Sequence, residues 1–181
     1  MQTNDPNFEY TVRNTLYPGS SYKEISNYRK LASKNFVNAQ TSTAQTGIVL
    51  FESTARIVCG LTNSNYALIS ALDEIYSYGG TDFDAGVNTS LNMLLNARSD
   101  SEKIIILVSD GQSSISTTTL NRVIENGIKI NTVYIGGQND NELLRRIAIQ
   151  TGGEYFKAVT ADELIDIYSE IMDECLHYQY R

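Results

Sequence analysis

The stretch Lys103-Ile-Ile-Ile-Leu-Val-Ser-Asp-Gly111 constrains the fold more than any other part of the chain. From Ile104 to Val108 every residue is apolar, with a charge before the run and Ser109-Asp110-Gly111 after it. A run without alternation suits a strand buried on both faces, as in a parallel sheet covered by helices. A carboxylate and a glycine then stand at the carboxyl end of that strand, the edge where open α/β sheets bind their ligands.

The flanking segments fit such a sheet. Ile25, Tyr28, Leu31, Ala32 and Phe36 recur at three- and four-residue spacing, which predicts a helix over 23–38 capped by Ser20 or Ser21. Thr46-Gly-Ile-Val-Leu-Phe51 and Ala55-Arg-Ile-Val-Cys-Gly-Leu61 read as strands. Their connection is too short for a parallel crossover, so they form an antiparallel hairpin. Helices follow over 65–77, capped by Ser64, and over 83–97. After the strand at 103–109 come a helix at 117–126, a strand at 128–135, a helix at 140–151, a short strand at 155–159 and a last helix through about Cys175. Thr160-Ala-Asp-Glu163 is a capping box that opens this last helix. Strands and helices in this alternation give an α/β fold of three layers, α/β/α, with a mostly parallel sheet and one antiparallel hairpin. The reading divides the chain into an N-terminal extension or inserted strand (1–22), one domain (23–176) and a tail (177–181).

A chain of 181 residues is large enough for a real core in one domain. The net charge is −7 and no basic run occurs, which excludes the Lys/Arg footprint that nucleic-acid phosphates require. Two cysteines and one histidine make no zinc site. Cys59 and Cys175 lie in separate elements, and a disulfide and two thiols remain equally open. No apolar run approaches the roughly 18 residues of a membrane span. Met1-Gln-Thr-Asn-Asp-Pro6 is polar and lacks the apolar core of a signal peptide. His177 has no partner in the sequence and reads as a surface residue. Tyr76, Tyr78, Tyr155, Tyr178 and Tyr180 read as core-edge or interface residues.

Two loops bring chemistry to the carboxyl edge. Thr81 follows Gly79-Gly80, whose lack of side chains permits a sharp turn and close backbone approach. Asp110 ends the central strand. A hydroxyl and a carboxylate converging there make an oxygen-only environment suited to Mg2+ or Mn2+ rather than zinc or copper. Asp82 and Asp84 are secondary metal candidates, since their position at a helix start favours a capping role. Ser113 and Ser114 read as solvated loop residues.

Three stretches together resemble the von Willebrand factor type A domain. They are the hairpin Thr46-Gly-Ile-Val-Leu-Phe-Glu-Ser…Ala-Arg-Ile-Val-Cys-Gly-Leu-Thr62, the loop Tyr78-Gly-Gly-Thr-Asp-Phe-Asp-Ala-Gly86, and Ile104-Ile-Ile-Leu-Val-Ser-Asp-Gly-Gln-Ser113. The resemblance covers roughly residues 23–175. It implies a non-catalytic, protein-binding domain with a metal-ion-dependent adhesion site. Thr81 would be a metal ligand, direct or through water, and Asp110 a water-mediated carboxylate. An acidic side chain of the partner would fill the open position on the ion. The resemblance also favours an extracellular or cell-surface location, as in a bacterial surface protein.

One departure from the family pattern is large. The family's first strand ends in Asp-x-Ser-x-Ser, which supplies two serine ligands, and no such motif occurs in these residues. That strand normally lies between those placed here at 46–51 and 103–109. In many bacterial members the motif continues into a methionine and a polar Asn-Asp-Pro loop, which the opening Met1-Gln-Thr-Asn-Asp-Pro6 resembles. The expectation is a chain whose first strand has been removed. A central strand buries about five large side chains at roughly 1.5–3 kcal/mol each, which rivals the whole stability of a domain. Three outcomes are open: residues 7–17 move into the gap, another copy supplies a strand, or 46–51 closes up beside 103–109. Pairing of 7–17 with the sheet somewhere is the favoured expectation, although Glu9, Thr11 and Arg13 make that segment a half-exposed strand rather than a buried central one.

The leading expectation is therefore a protein-binding or adhesion module with an incomplete metal site, holding Mg2+ weakly or not at all. The alternatives are a non-catalytic assembly subunit serving a chelatase- or AAA-ATPase-type complex, and a metal-free scaffold. The chain itself carries no Walker motif.

Overall fold

The run Ile104–Ser109 is a strand, as its composition requires, and among the described residues it lies at the edge of a sheet. A computed structural model describes residues 22–75, 80–109, 113–136 and 139–177, apart from the side chains of 22–29, 161 and 174–177. In chain order the elements are α1 (Tyr22–Ala39), β1 (Thr46–Phe51), β2 (Ala55–Thr62), α2 (Asn65–Asp73), α3 (Phe83–Leu95) and β3 (Ile104–Ser109). Then follow α4 (Thr117–Glu125), β4 (Lys129–Ile135), α5 (Glu142–Thr151), β5 (Tyr155–Ala158) and α6 (Ala161–His177).

The expected α/β architecture is present, and the hairpin is antiparallel, with Thr46 opposite Thr62 and Phe51 opposite Ala55. β3, β4 and β5 pair in parallel, Ile104 opposite Lys129 and Thr132 opposite Tyr155. The strands nevertheless form two sheets among the described residues, β1-β2 and β3-β4-β5. The outcome in which 46–51 closes up beside 103–109 is thereby corrected: β1 and β3 are not neighbours in a ladder. Residues 7–17, expected to pair with the sheet, lie outside the described residues.

Helices cover both faces. On one, α3, α4 and α5 bury Phe83, Val87, Leu91, Val123, Leu144 and Ile147 against Ile105, Leu107 and Ile130. On the other, Ala32 of α1 and Leu164, Ile167 and Ile171 of α6 cover Val133, Ile135 and Ala158. Phe36 and Tyr168 join α1 to α6 edge to face, ring centres 5.8 Å apart. Val37, Leu68 and Leu72 pack with Ile48 and Cys59 and seat α1 and α2 on the hairpin. These are the three expected layers.

Caps fix where the helices start and stop. Ser64, Asp82, Ser116 and Asn141 each accept the backbone N–H three residues on. The capping box at α6 is complete: Thr160 Oγ1 accepts from Glu163 N at 3.2 Å, and Glu163 Oε2 accepts from Thr160 N at 3.1 Å. Gly152 ends α5 at φ +73, a left-handed conformation that a side chain resists. The helix expected over 65–77 stops earlier, at Asp73, and lysines of α1 hold its end. Lys30 Nζ donates to the Asp73 carbonyl at 3.2 Å, and Lys34 Nζ bonds the Asp73 carboxylate at 2.5 Å.

Candidate functional site

Three segments meet beyond the carboxyl ends of β1 and β3. After β1, the Glu52 carbonyl accepts the backbone N–H of Asp82 at 2.7 Å. Gly80 lies over Ser53 so closely that a Cβ there would stand 2.7 Å from Ser53 Oγ, which explains why a glycine precedes Thr81. After β3, Ser113 Oγ donates to the Thr81 carbonyl at 2.8 Å and accepts the N–H of Phe83 at 3.2 Å. The loop 80–82 is therefore clamped from both sides, and Thr81 sits half-buried between the ends of the two strands.

Asp82 and Asp84 are engaged within the protein. Asp82 Oδ1 caps α3 by accepting from Ala85 N at 2.9 Å. Asp84 reaches across to the start of α4, where both carboxylate oxygens accept from Ser116 N at 3.0 Å and Oδ1 accepts from Ser116 Oγ at 2.8 Å. Burial pushes the Asp84 carboxyl up. Hydrogen bonds from Thr119 and from the backbone and side chain of Ser116 outweigh it and hold the group below its ordinary value of 3.8. The network continues through Asn88, which donates to Thr119 Oγ1 at 2.9 Å and accepts from Arg122. These contacts join α3 to α4.

Of the sequence-predicted residues, Thr81, Asp82 and Asp84 thus lie in one short segment at the carboxyl edge. Asp110 lies outside the described residues, as do the side chains of Cys175 and His177. Cys59 is a half-buried free thiol. Tyr155 is part of the fold's own surface: its hydroxyl accepts the N–H of Asn141 at 3.0 Å and its ring lies 4.4 Å beneath the Arg145 guanidinium. Ser113 was expected to be merely solvated, and its clamping role corrects that reading. A hydroxyl three residues beyond Asp110 was the available signal. Glu52 and Ser53, whose neighbourhood shapes the same edge, gave none.

The described side chains do not by themselves make a metal centre. Among the described residues no three His, Cys, Asp or Glu side chains stand close enough together to hold an ion. Asp84 has both oxygens committed to Ser116, and Asp82 has one committed to its own helix. The described oxygen ligand that remains from the expected set is Thr81.

A cleft leads away from this edge between β1 and β3. On the α3 side it holds about 630 Å³, walled by Gly47, Val49 and Phe51 on one flank and by Ile105 and Leu107 on the other. On the α1 side it holds about 240 Å³ and reaches Thr81 and Ser109. Among the described residues no helix is long and apolar enough to cross a membrane.

Comparison with known proteins agrees with the fold. The family profile described as von Willebrand factor type A domain matches residues 19–170. A UPF0353 protein of Nocardia farcinica is 26% identical over 187 residues, covering 82% of this chain and 56% of its own length. The chain thus spans about half the length of the curated relatives it matches. The solved structure of a von Willebrand factor type A protein from Catenulispora acidiphila superposes with a TM-score of 0.75 at 21% identity, over 83% of this chain and 38% of that one. Proximal thread matrix protein 1 from the mussel byssus, described with a zinc-occupied MIDAS motif, gives 0.72 at 19% identity, over 91% and 43%. At these identities the two structures establish the fold.

Proposed function

The chain belongs to the von Willebrand factor type A family, whose domains are generally non-catalytic protein-interaction modules, and from that premise we propose that it is an adhesion-type binding module that contacts its partner at the Thr81 edge. The observation that carries this reading is the double clamp on loop 80–82, from Glu52 on one side and Ser113 on the other. A loop held this firmly presents a hydroxyl at a fixed place, as a coordination or recognition site requires. Domains of this family can hold a metal, and the mussel protein is described with zinc in its MIDAS motif.

In this reading Thr81 and Asp110 are the chain's own metal-site residues, with Asp82 and Asp84 as secondary candidates. An acidic side chain of the partner fills the open position on the ion. The site is incomplete, because the Asp-x-Ser-x-Ser segment that supplies two further hydroxyls in the family does not occur in these residues. Two oxygen ligands leave most of an Mg2+ octahedron to water, so binding is weak. Titration calorimetry is expected to give Mg2+ affinity poorer than micromolar, and tighter binding would contradict the incomplete site.

The test of the interaction itself uses an aspartate-bearing peptide library on a surface, with millimolar Mg2+ or with chelator. Mg2+-dependent retention that Thr81→Ala removes supports the reading. Retention that is the same with Mg2+, with chelator and in Thr81→Ala overturns it.

A further inference from the structure

α4 ends on Asn126-Gly127, the one Asn-Gly pair in the sequence. In such a pair the backbone nitrogen that follows the asparagine is open to attack the side-chain amide, because glycine has no Cβ to shield it or to restrict the turn. Both residues are exposed. Gly127 has φ +64, and nothing lies within 4 Å of the place a Cβ would take. Its left-handed conformation, not a lack of space, therefore explains the glycine.

The cap that requires it is a Schellman motif. Ile128 N donates to the Val123 carbonyl at 3.1 Å, and Gly127 N donates to the Ile124 carbonyl at 3.0 Å. Val123 and Ile128 are both buried in one core cluster, as the apolar partners of such a cap should be. Asn126 adds a bond of its own: Nδ2 donates to the Arg122 carbonyl at 2.7 Å. The two groups that react in an Asn-Gly pair are thus both held, the nitrogen on Ile124 and the amide on Arg122. Ring closure between them needs both bonds to break, and breaking them undoes the cap.

We propose that Asn126-Gly127 is a self-modification site that the closed cap of α4 keeps inert and that opening of the cap releases. In the open state the Gly127 nitrogen attacks Asn126 Cγ. The N–Cγ bond forms, the Cγ–Nδ2 bond breaks and ammonia leaves; solvent takes the proton from the attacking nitrogen and returns one to the departing amine. Water then opens the cyclic imide. Breaking the new N–Cγ bond gives aspartate, and breaking the original peptide C–N bond gives isoaspartate. Neither product closes the cap again. Aspartate sets a carboxylate against the Arg122 carbonyl to which the amide donated, and places negative charge at the negative end of the helix. Isoaspartate adds a methylene to the main chain and shifts Gly127 N and Ile128 N off their carbonyls. α4 buries Thr119, Leu120 and Val123, and Arg122 bonds Asn88 and Asn92 of α3, so the damage reaches both helices. The inference rests on residues 122–128 and is independent of the metal reading.

Incubation of the full 181-residue chain in mildly alkaline buffer, folded and in urea, tests this. Trypsin releases the peptide Val123–Lys129, which mass spectrometry follows. In urea this peptide is expected to convert ahead of every other asparagine-bearing peptide, to aspartyl and isoaspartyl products of equal mass that chromatography separates. In the folded chain its conversion is expected to be slower by about tenfold or more, and to rise with sub-denaturing urea in step with exchange of the Gly127 and Ile128 amides. Gly127→Ala is expected to slow conversion in urea, where folding plays no part. Asn126→Asp is expected to lower Tm. Equal rates in the folded and urea-unfolded chains overturn the proposal, as does earlier conversion of another asparagine in urea. Conversion that does not follow amide exchange overturns it, and so does an Asn126→Asp chain with unchanged Tm.

Discussion

The hydroxyl of Ser113 donates to the main-chain carbonyl of Thr81 at 2.8 Å while accepting the N–H of Phe83 at 3.2 Å. One side chain from the loop after β3 thereby holds both the candidate ligand and the first residue of α3. Ser113→Ala leaves a part-buried N–H and a carbonyl without this partner. It is expected to cost about 1–2 kcal/mol, read as a fall of about 2–8 °C in Tm. It is also expected to weaken Mg2+-dependent retention together with stability, whereas Thr81→Ala weakens retention alone.

Asp84 ties the start of α4 to α3 through Ser116, and its carboxyl is held below the ordinary value of 3.8. Folding therefore gains from the ionised form. The gain is present above that ordinary value and is lost as the pH falls through the lower folded value. Denaturant titrations over the range below about pH 4 are expected to show a shallower acid loss for Asp84→Asn than for the parent protein.

Gly86 lies where α3 crosses β1. A Cβ added there stands 2.8 Å from Phe51 Cγ and 3.0 Å from Phe51 Cβ, atoms too near the backbone to swing aside. Gly86→Ala is expected to destabilise by about 1–3 kcal/mol through overpacking, against roughly 1 kcal/mol gained in helix propensity. The same substitution pushes Phe51 off Phe83, whose ring centre is 6.0 Å away. Near-ultraviolet circular dichroism is expected to change with the drop in stability.

Thr160→Ala removes one half of the capping box at α6. Equilibrium unfolding is expected to give a loss of about 1 kcal/mol, with Mg2+-dependent retention unchanged, because this cap lies on an element remote from loop 80–82. A loss of retention without a loss of stability would show that α6 takes part in the contact.

Local chemistry made most of the fold legible. The caps at Ser64, Asp82 and Thr160 and the glycine at 152 act within one turn of sequence, so the residues that set them are neighbours, whereas the caps Ser116 and Asn141 were not read from it. The apolar runs at 48–51 and 104–108 named their strands for the same reason. Which strands stand side by side is a different matter. The composition of β1 and β3 asks for burial on both faces, yet among the described residues the two strands belong to separate sheets. At the site, Thr81 was legible from Gly79-Gly80 before it. The Ser113 clamp was not, because it spans 32 residues and a loop serine carries no periodic signal. The pairing of Asp84 with Ser116 escaped for the same reason.

The half-exposed faces of β1 and β3 also govern how the cleft responds to warming. Apolar walls that shed water on being covered give association a negative heat-capacity change. Hydration of such walls becomes less tolerable as temperature rises from the cold, so their burial stabilises less in an ice bath than at room temperature.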